Sequence, residues 1–333
     1  MTEALLLALS FAVILAGALL FTNAVEWIGH RLELGEGAVG SLLAAVGTAM
    51  PETLIAIVAL IGAAEGADQV AIGAIVGAPF LLATLAMGLI GLFAHLYSRR
   101  RAQGAELDVH HRTLERDLLF FLLFFGIALA LSWGAPAALR ITVGVAAILS
   151  YPLYIRRTLR GGGEVQDHAT LNPLIFERRP ERSRDPGLAL CAIQLLVGLG
   201  AMVGGAHLFV EELLDVAVGL GVEPVVLALI LAPLATELPE KVNSFFWMRE
   251  GKDSLALGNV TGAMVFQSTI PVGIGLIFTR WSLAANATLS VVLGLAGGLL
   301  AYEVLRRRGR FEWPATIAWF TLYAMFIVAV VVG

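Results

Sequence analysis

The fold of this chain is decided by two short motifs, GTAMPE at Gly47–Glu52 and ATELPE at Ala235–Glu240. Each motif lies near the centre of a long apolar run, and the two lie 188 residues apart. Each places a threonine, a proline and a glutamate inside a stretch that otherwise has the pattern of a membrane-spanning helix. A charged side chain at the centre of such a helix costs about 2.5–3.5 kcal/mol, so the glutamates predict a functional site.

The composition predicts an all-α transmembrane protein. The 333 residues are 58% hydrophobic and only 14% charged, whereas a soluble domain carries about 25% charged residues. Several apolar runs reach the roughly 20 residues that a helix needs to cross a bilayer, and helix is the element expected there because its backbone satisfies its own hydrogen bonds. One cysteine, Cys191, excludes an internal disulfide and a multi-cysteine metal site.

The apolar runs predict about ten spanning helices, which charged residues and turn signals separate from each other. The run at the N-terminus lacks a basic leader, so we interpret it as the first span. The predicted spans lie near 3–25, 38–62, 68–97, 117–133, 137–156, 187–209, 224–248, 253–278, 283–304 and 312–332.

The basic residues predict the orientation of these spans. Loops that follow even-numbered spans carry only Arg140 and Arg280, and nearly all other arginines and lysines lie in loops after odd-numbered spans. The positive-inside rule then places the odd loops in the cytoplasm and both termini outside, as in a prokaryotic inner membrane. The charged loop near 157–186 contains Gly161–Gly163 and is expected to be a flexible cytoplasmic linker.

The chain contains an internal repeat. GALLF at Gly17–Phe21 matches GAHLF at Gly205–Phe209 with the same offset of 188 residues that relates the two glutamate motifs. Five spans separate the matching segments, and an odd number reverses the direction in which the second copy enters the membrane. We therefore predict two inverted five-helix repeats, at 1–158 and 187–333, joined by a linker at 159–186.

The two motifs predict a midplane cation site. Proline removes a backbone donor and clashes with the preceding turn, so we expect helices two and seven to be broken at the midplane. Carbonyl oxygens freed by such a break would join carboxylate and hydroxyl oxygens, which are the hard ligands that Na⁺, Ca²⁺ and Mg²⁺ prefer. The side chains predicted to provide these oxygens are Thr48, Glu52, Thr236, Glu237 and Glu240.

The spans after the two motifs are expected to line the same cavity. Gly73 and Gly77 in span three, and Gly258 and Gly262 in span eight, have the spacing of small residues at close helix contacts. Gln267 and Asn259 are polar residues on an otherwise apolar helix. Each is interpreted either as a site residue or as an interhelical hydrogen-bonding group.

These motifs, each followed by a glycine-rich span, resemble the two repeats of the calcium/cation antiporter superfamily, and its sodium/calcium exchanger branch most of all. The resemblance covers both repeats and the ten-span plan. It implies that Glu52 and Glu240 are the central ligands and that Thr48 and Thr236 contribute oxygens beside them. It also places Gln267 where the second repeat usually offers an aspartate or asparagine ligand.

The chain departs from the motifs of that family at several positions. Ala49, Ala74 and Leu82 replace polar residues of the first repeat, whereas Glu237 adds a carboxylate to the second. Fewer neutral oxygens remain for the 6–8 ligands that Ca²⁺ takes. Carboxylates packed this closely cannot all ionise without a cation, so a proton becomes a natural competitor.

The resemblance implies a secondary-active antiporter that exchanges Ca²⁺ or a related cation for Na⁺ by alternating access. Coupling to H⁺, or a different substrate, is the alternative. A membrane enzyme is disfavoured because Glu211 and Glu212 lack the residues of a protease site and no HExxH motif occurs. We expect no resident cofactor, no nucleic acid partner, and a monomer whose partners are the lipid bilayer and inorganic cations.

Overall fold

The computed structural model describes residues 2–31, 44–62, 65–100, 106–107, 109, 111–160, 172–177, 186–249, 251–308 and 310–332. These residues are almost entirely helical, and each predicted span overlaps one helix. The helices are α1 (Thr2–Arg31), α2 (Ala44–Gly62), α3 (Ala67–Leu96), α4 (His111–Leu131), α5 (Ala137–Arg160), α6 (Leu188–Leu220), α7 (Pro224–Arg249), α8 (Asp253–Phe278), α9 (Ala285–Arg308) and α10 (Trp313–Val332).

Seven helices in the described part of the chain are long and apolar enough to cross a membrane, namely α1, α3, α5, α6, α8, α9 and α10. Among the side chains that the structure describes, the two motif helices have shorter apolar stretches, Ala49–Gly62 in α2 and Pro224–Leu234 in α7.

Helix α3 contains a π-helical turn at Leu82–Ala86. Pro79 precedes this turn and has no N–H to offer the carbonyl one turn earlier, and the Thr84 hydroxyl donates to the Phe80 carbonyl at 2.6 Å. The turn begins at Leu82, which stands where the related family usually has a polar residue, and the Leu82 side chain is fully buried. An apolar side chain therefore fills the position.

The contacts between helices repeat when the helix number is shifted by five. Helix α1 packs along α6, its equivalent in the second half. Helix α3 packs against α7, and its equivalent α8 packs against α2. Helix α3 also contacts α9 and α10, as α8 contacts α4 and α5. Helices α3 and α8 lie innermost, with protein on nearly all sides, whereas α1, α5, α6 and α10 bury a smaller part of their surface.

Part of the predicted flexible linker is held against α1 and α6. The indole N–H of Trp27 donates to the carbonyl of Asn172 at 2.9 Å. The backbone N–H of Ile175 donates to Asn23 Oδ1 at 3.1 Å, and that of Phe176 donates to Gln194 Oε1 at 2.8 Å. The side chain of Leu174 is fully buried. Residues 172–177 are therefore an ordered segment that contacts one helix of each half of the chain.

The small-residue prediction is confirmed for α3. A Cβ added at Gly73 would lie 2.6 Å from the Ala228 Cβ, and one at Gly77 would lie 2.7 Å from the Leu229 carbonyl oxygen. These two glycines are therefore required for α3 to approach α7. A Cβ at Gly258 or Gly262 would meet no atom of the described residues within 4 Å.

We expect Gly73→Ala to destabilise the protein and Gly258→Ala to be tolerated. Alanine gains about 1 kcal/mol over glycine in a helix interior, whereas overfilling a packed site costs about 1–3 kcal/mol. The thermal unfolding midpoint of the purified protein should fall for Gly73→Ala and stay level or rise for Gly258→Ala. Equal midpoints for the two variants would contradict the close contact between α3 and α7.

Candidate functional site

The two glutamate motifs lie on helices that continue through their prolines. Helix α2 runs past Pro51 and α7 runs past Pro239, so the predicted midplane breaks are not seen. Each proline still lacks the N–H that would bond the carbonyl four residues earlier, at positions 47 and 235. The structure thus keeps the helical path that brings the motif side chains together.

Glu52 of α2 and Thr236 of α7 are in direct contact. Both side chains are buried, with 1% exposure each. The Thr236 hydroxyl is placed to donate to Glu52 Oε1, and it also lies 2.8 Å from the carbonyl oxygen of Ala232 one turn earlier. This contact joins the first motif to the second, as the repeat predicted.

Glu237 of α7 pairs with Gln267 of α8. The amide Nε2 of Gln267 donates to Glu237 Oε1 at 2.6 Å, and both residues are fully buried. The Oε1 atom of Gln267 has no hydrogen-bond partner among the described residues. Glu237 therefore connects the motif helix to the innermost helix of the second half, and an amide oxygen is left beside it.

Four of the six predicted site residues thus form two separate pairs in the structure: Glu52 contacts Thr236, and Glu237 is hydrogen-bonded to Gln267. Thr48 and Glu240 lie on α2 and α7, but their side chains lie outside the described residues. Within the described residues, no group of three or more histidine, cysteine, aspartate and glutamate side chains is arranged to hold a metal ion.

The buried carboxyl groups of Glu52 and Glu237 determine what this region can bind. Glu52 and Glu237 are carboxyl groups deep among apolar residues, where an ionised carboxylate is tolerated only with strong compensation. Hydroxyl and amide donors contribute to that compensation, and a bound cation or a proton would add to it. Asn259 donates to the Ser244 hydroxyl at 3.2 Å and so fits the interhelical hydrogen-bonding interpretation.

Asp117 is a buried acid that the sequence analysis did not identify. Its Oδ1 accepts from the Tyr154 hydroxyl at 2.8 Å, and its Oδ2 accepts from the Thr261 hydroxyl at 3.0 Å. The Arg116 guanidinium lies 3.4 Å away. These contacts join α4 and α5 to α8, six residues before Gln267. In the sequence, Asp117 directly precedes the apolar run 118–131. An aspartate in that position is typical of an ordinary helix end, so the pattern did not indicate a buried acid.

The apolar helices and the buried pairs of polar side chains together define an integral membrane protein of the transporter class. The chain belongs to the sodium/calcium exchanger protein family, whose model matches residues 2–159 and 190–332. This membership confirms the resemblance seen in the two motifs. It also confirms that the chain is an antiporter-type transporter and not a membrane enzyme.

Similar proteins and structures agree with this assignment. The membrane protein MJ0091 of Methanocaldococcus jannaschii is 22% identical over 314 residues, which are 94% of this chain and 93% of that protein. The crystal structure of the H⁺/Ca²⁺ exchanger CAX has a TM-score of 0.77 at 19% identity and covers 98% of this chain and 82% of its own. The sodium-calcium exchanger NCX_Mj has a TM-score of 0.61 at 20% identity and covers 98% of both chains.

Proposed function

We propose that this protein is a secondary-active antiporter that exchanges Ca²⁺ or a related cation for Na⁺ by alternating access. The observation that carries the proposal is the contact between Glu52 of one half of the chain and Thr236 of the other in the protein interior. A polyanionic site is costly to move through an apolar seal when it is empty. A site neutralised by a cation crosses more easily, so two cations that compete for it are exchanged.

The proposed architecture is ten spans in two inverted repeats, at 1–158 and 187–333, with a cytoplasmic linker at 159–186. The contacts that recur when the helix number is shifted by five support this division. The two stretches matched by the family model, 2–159 and 190–332, support it as well. Pro51 and Pro239 would then mark the places where α2 and α7 open during transport.

The proposed orientation puts both termini outside the cell in a prokaryotic inner membrane. The basic residues support it, because Arg140 and Arg280 stand nearly alone on the side opposite to the arginine-rich loops. The protein would act as a monomer, with the lipid bilayer and inorganic cations as its partners.

The proposed ligands are the oxygens of Glu52, Thr236, Glu237 and Gln267, together with Thr48 and Glu240. Carboxylate, hydroxyl and amide oxygens suit hard cations such as Na⁺ and Ca²⁺. The cation is cargo in this proposal, and no resident cofactor takes part. The Gln267 Oε1 atom, which has no partner in the described part of the chain, is available as a neutral ligand beside Glu237.

Coupling to H⁺ is the second candidate, and the geometry at Thr236 favours it. A threonine hydroxyl has one hydrogen, yet Thr236 Oγ1 is in contact with both Glu52 Oε1 and the Ala232 carbonyl oxygen. A protonated Glu52 would donate to Thr236 Oγ1 while the Thr236 hydroxyl donates to the Ala232 carbonyl oxygen. The arrangement therefore suits a site in which a proton replaces the cation.

Purified protein in liposomes separates these candidates. Uptake of radioactive Ca²⁺ should rise several-fold over protein-free liposomes when Na⁺ is loaded inside, and an imposed pH gradient without Na⁺ should have little effect. Uptake driven only by the pH gradient would assign H⁺ as the coupling ion. Uptake driven by neither gradient would reject Ca²⁺ as the cargo.

A further inference from the structure

An open groove of about 400 Å³ lies on the outer face of α4, away from the buried polar pairs. The residues that line it recur every three or four positions and so form one stripe along the helix. The stripe is charged where α4 begins and apolar beyond that point. Its members are Arg112, Glu115, Arg116, Leu119, Phe120 and Leu123.

The charged end of the groove contains a partly exposed arginine, Arg116. Arg116 donates to the Thr158 hydroxyl at 3.0 Å and lies 3.4 Å from Asp117, and its guanidinium lies 5.1 Å from the centre of the Tyr154 ring. The Arg116 side chain is 31% exposed and lines the groove, so a ligand there can reach its guanidinium.

The charge at this end favours an anion. Arg112 is exposed and lies one turn before Arg116, so two guanidinium groups and one carboxylate, that of Glu115, line the groove. The Asp117 carboxylate, which contacts Arg116, is buried and does not line the groove. The groove also opens at the N-terminal end of α4, where the helix dipole favours negative charge. Arginine matches the oxygens of a phosphate group particularly well.

The other end of the groove has the character of an acyl-chain surface. Leu119 and Leu123 are 50% and 55% exposed, and Phe120 lies beside them. From Arg112 to Leu123 the helix rises about 16 Å at 1.5 Å per residue. A charged head at one end and an extended apolar strip at the other match the two parts of a phospholipid.

We propose that this groove binds one anionic phospholipid, with the phosphate on Arg112 and Arg116 and an acyl chain along Leu119, Phe120 and Leu123. Basic pockets at the membrane surface bind anionic head groups in this way. The site requires only that the protein lies in a membrane, so it is independent of which cation is exchanged. Because Arg116 contacts Asp117, the lipid would also be linked to the buried contacts between α4, α5 and α8.

The test measures lipid binding to the purified protein, without any transport step. Phosphatidylglycerol is titrated in detergent and followed by thermal stabilisation and by native mass spectrometry. We expect saturable binding that phosphatidylcholine does not reproduce at the same concentration. Arg112→Gln should weaken it about fivefold, the factor that corresponds to ~1 kcal/mol per basic residue.

Arg306→Gln is the matched control, because Arg306 is an exposed arginine near the end of α9 and does not line the groove. It should leave the affinity unchanged. An equal loss in both variants would show a general effect of surface charge and would overturn the proposal. Equal stabilisation by inorganic phosphate would overturn the lipid assignment, and so would equal binding of phosphatidylcholine.

Discussion

Replacing Glu52 by glutamine is expected to lower cation uptake into liposomes at least about 100-fold, which corresponds to about 2.8 kcal/mol at 1.4 kcal/mol per factor of ten. Glutamine has nearly the same size as glutamate, and its carbonyl oxygen can still accept from the Thr236 hydroxyl. The variant therefore loses the negative charge of Glu52 while keeping the shape of the contact. Initial uptake rates at a fixed gradient measure the effect.

The control for this variant is Glu211→Gln, which removes a carboxylate from an exposed position on α6. It should transport like the unchanged protein. Size-exclusion profiles and thermal midpoints of both variants show whether the fold is kept. Normal uptake by a well-folded Glu52→Gln protein would contradict the role of Glu52 as a ligand.

Replacing Glu237 by glutamine is expected to weaken Ca²⁺ more than Na⁺. The Coulomb energy between a ligand charge and an ion scales with the charge of the ion, so a divalent cation loses about twice as much as a monovalent one. The new amide can still accept the hydrogen bond from Gln267. The Ca²⁺ concentration for half-maximal uptake should rise at least about tenfold, and the Na⁺ concentration for half-maximal exchange should rise less.

Glu223→Gln provides the comparison for Glu237, because Glu223 is exposed and lies one residue before α7. Both half-maximal concentrations should be unchanged in that variant. A proportional loss of Ca²⁺ and Na⁺ affinity in Glu237→Gln would show that Glu237 acts through the arrangement of α7 and α8 and not through its charge. Such a result would remove Glu237 from the ligand set.

The sequence was sufficient to predict which helices meet at the site. The shared offset of 188 residues places Glu52 and Thr236 in equivalent motifs, and the structure puts their side chains in contact. Gln267 was singled out as a polar residue on an apolar helix, and it is bonded to Glu237. Buried polar groups in a membrane helix need hydrogen-bond partners. A single polar residue on an apolar helix therefore predicts a polar partner on the helix packed against it.

Other features depend on contacts that no local pattern encodes. Asp117 stands where a charged helix end is expected, and only the fold shows that Tyr154 and Thr261 enclose it. Gly258 has the same spacing as Gly73, yet only Gly73 touches a neighbouring helix in the described residues. The prolines predicted broken helices, but a proline removes one hydrogen bond and the neighbouring turns are enough to keep α2 and α7 continuous.

The ordered stretch at 172–177 bears on how the newly made chain assembles. Helix α1 is synthesised long before α6, and until then Asn23 and Trp27 of α1 lack the backbone groups that they bind in the finished protein. Those groups leave the ribosome shortly before Gln194 of α6, which bonds to the same stretch. Docking of these few residues would leave only a short loop to close before α6 lies along α1, and short loops lose little entropy on closure.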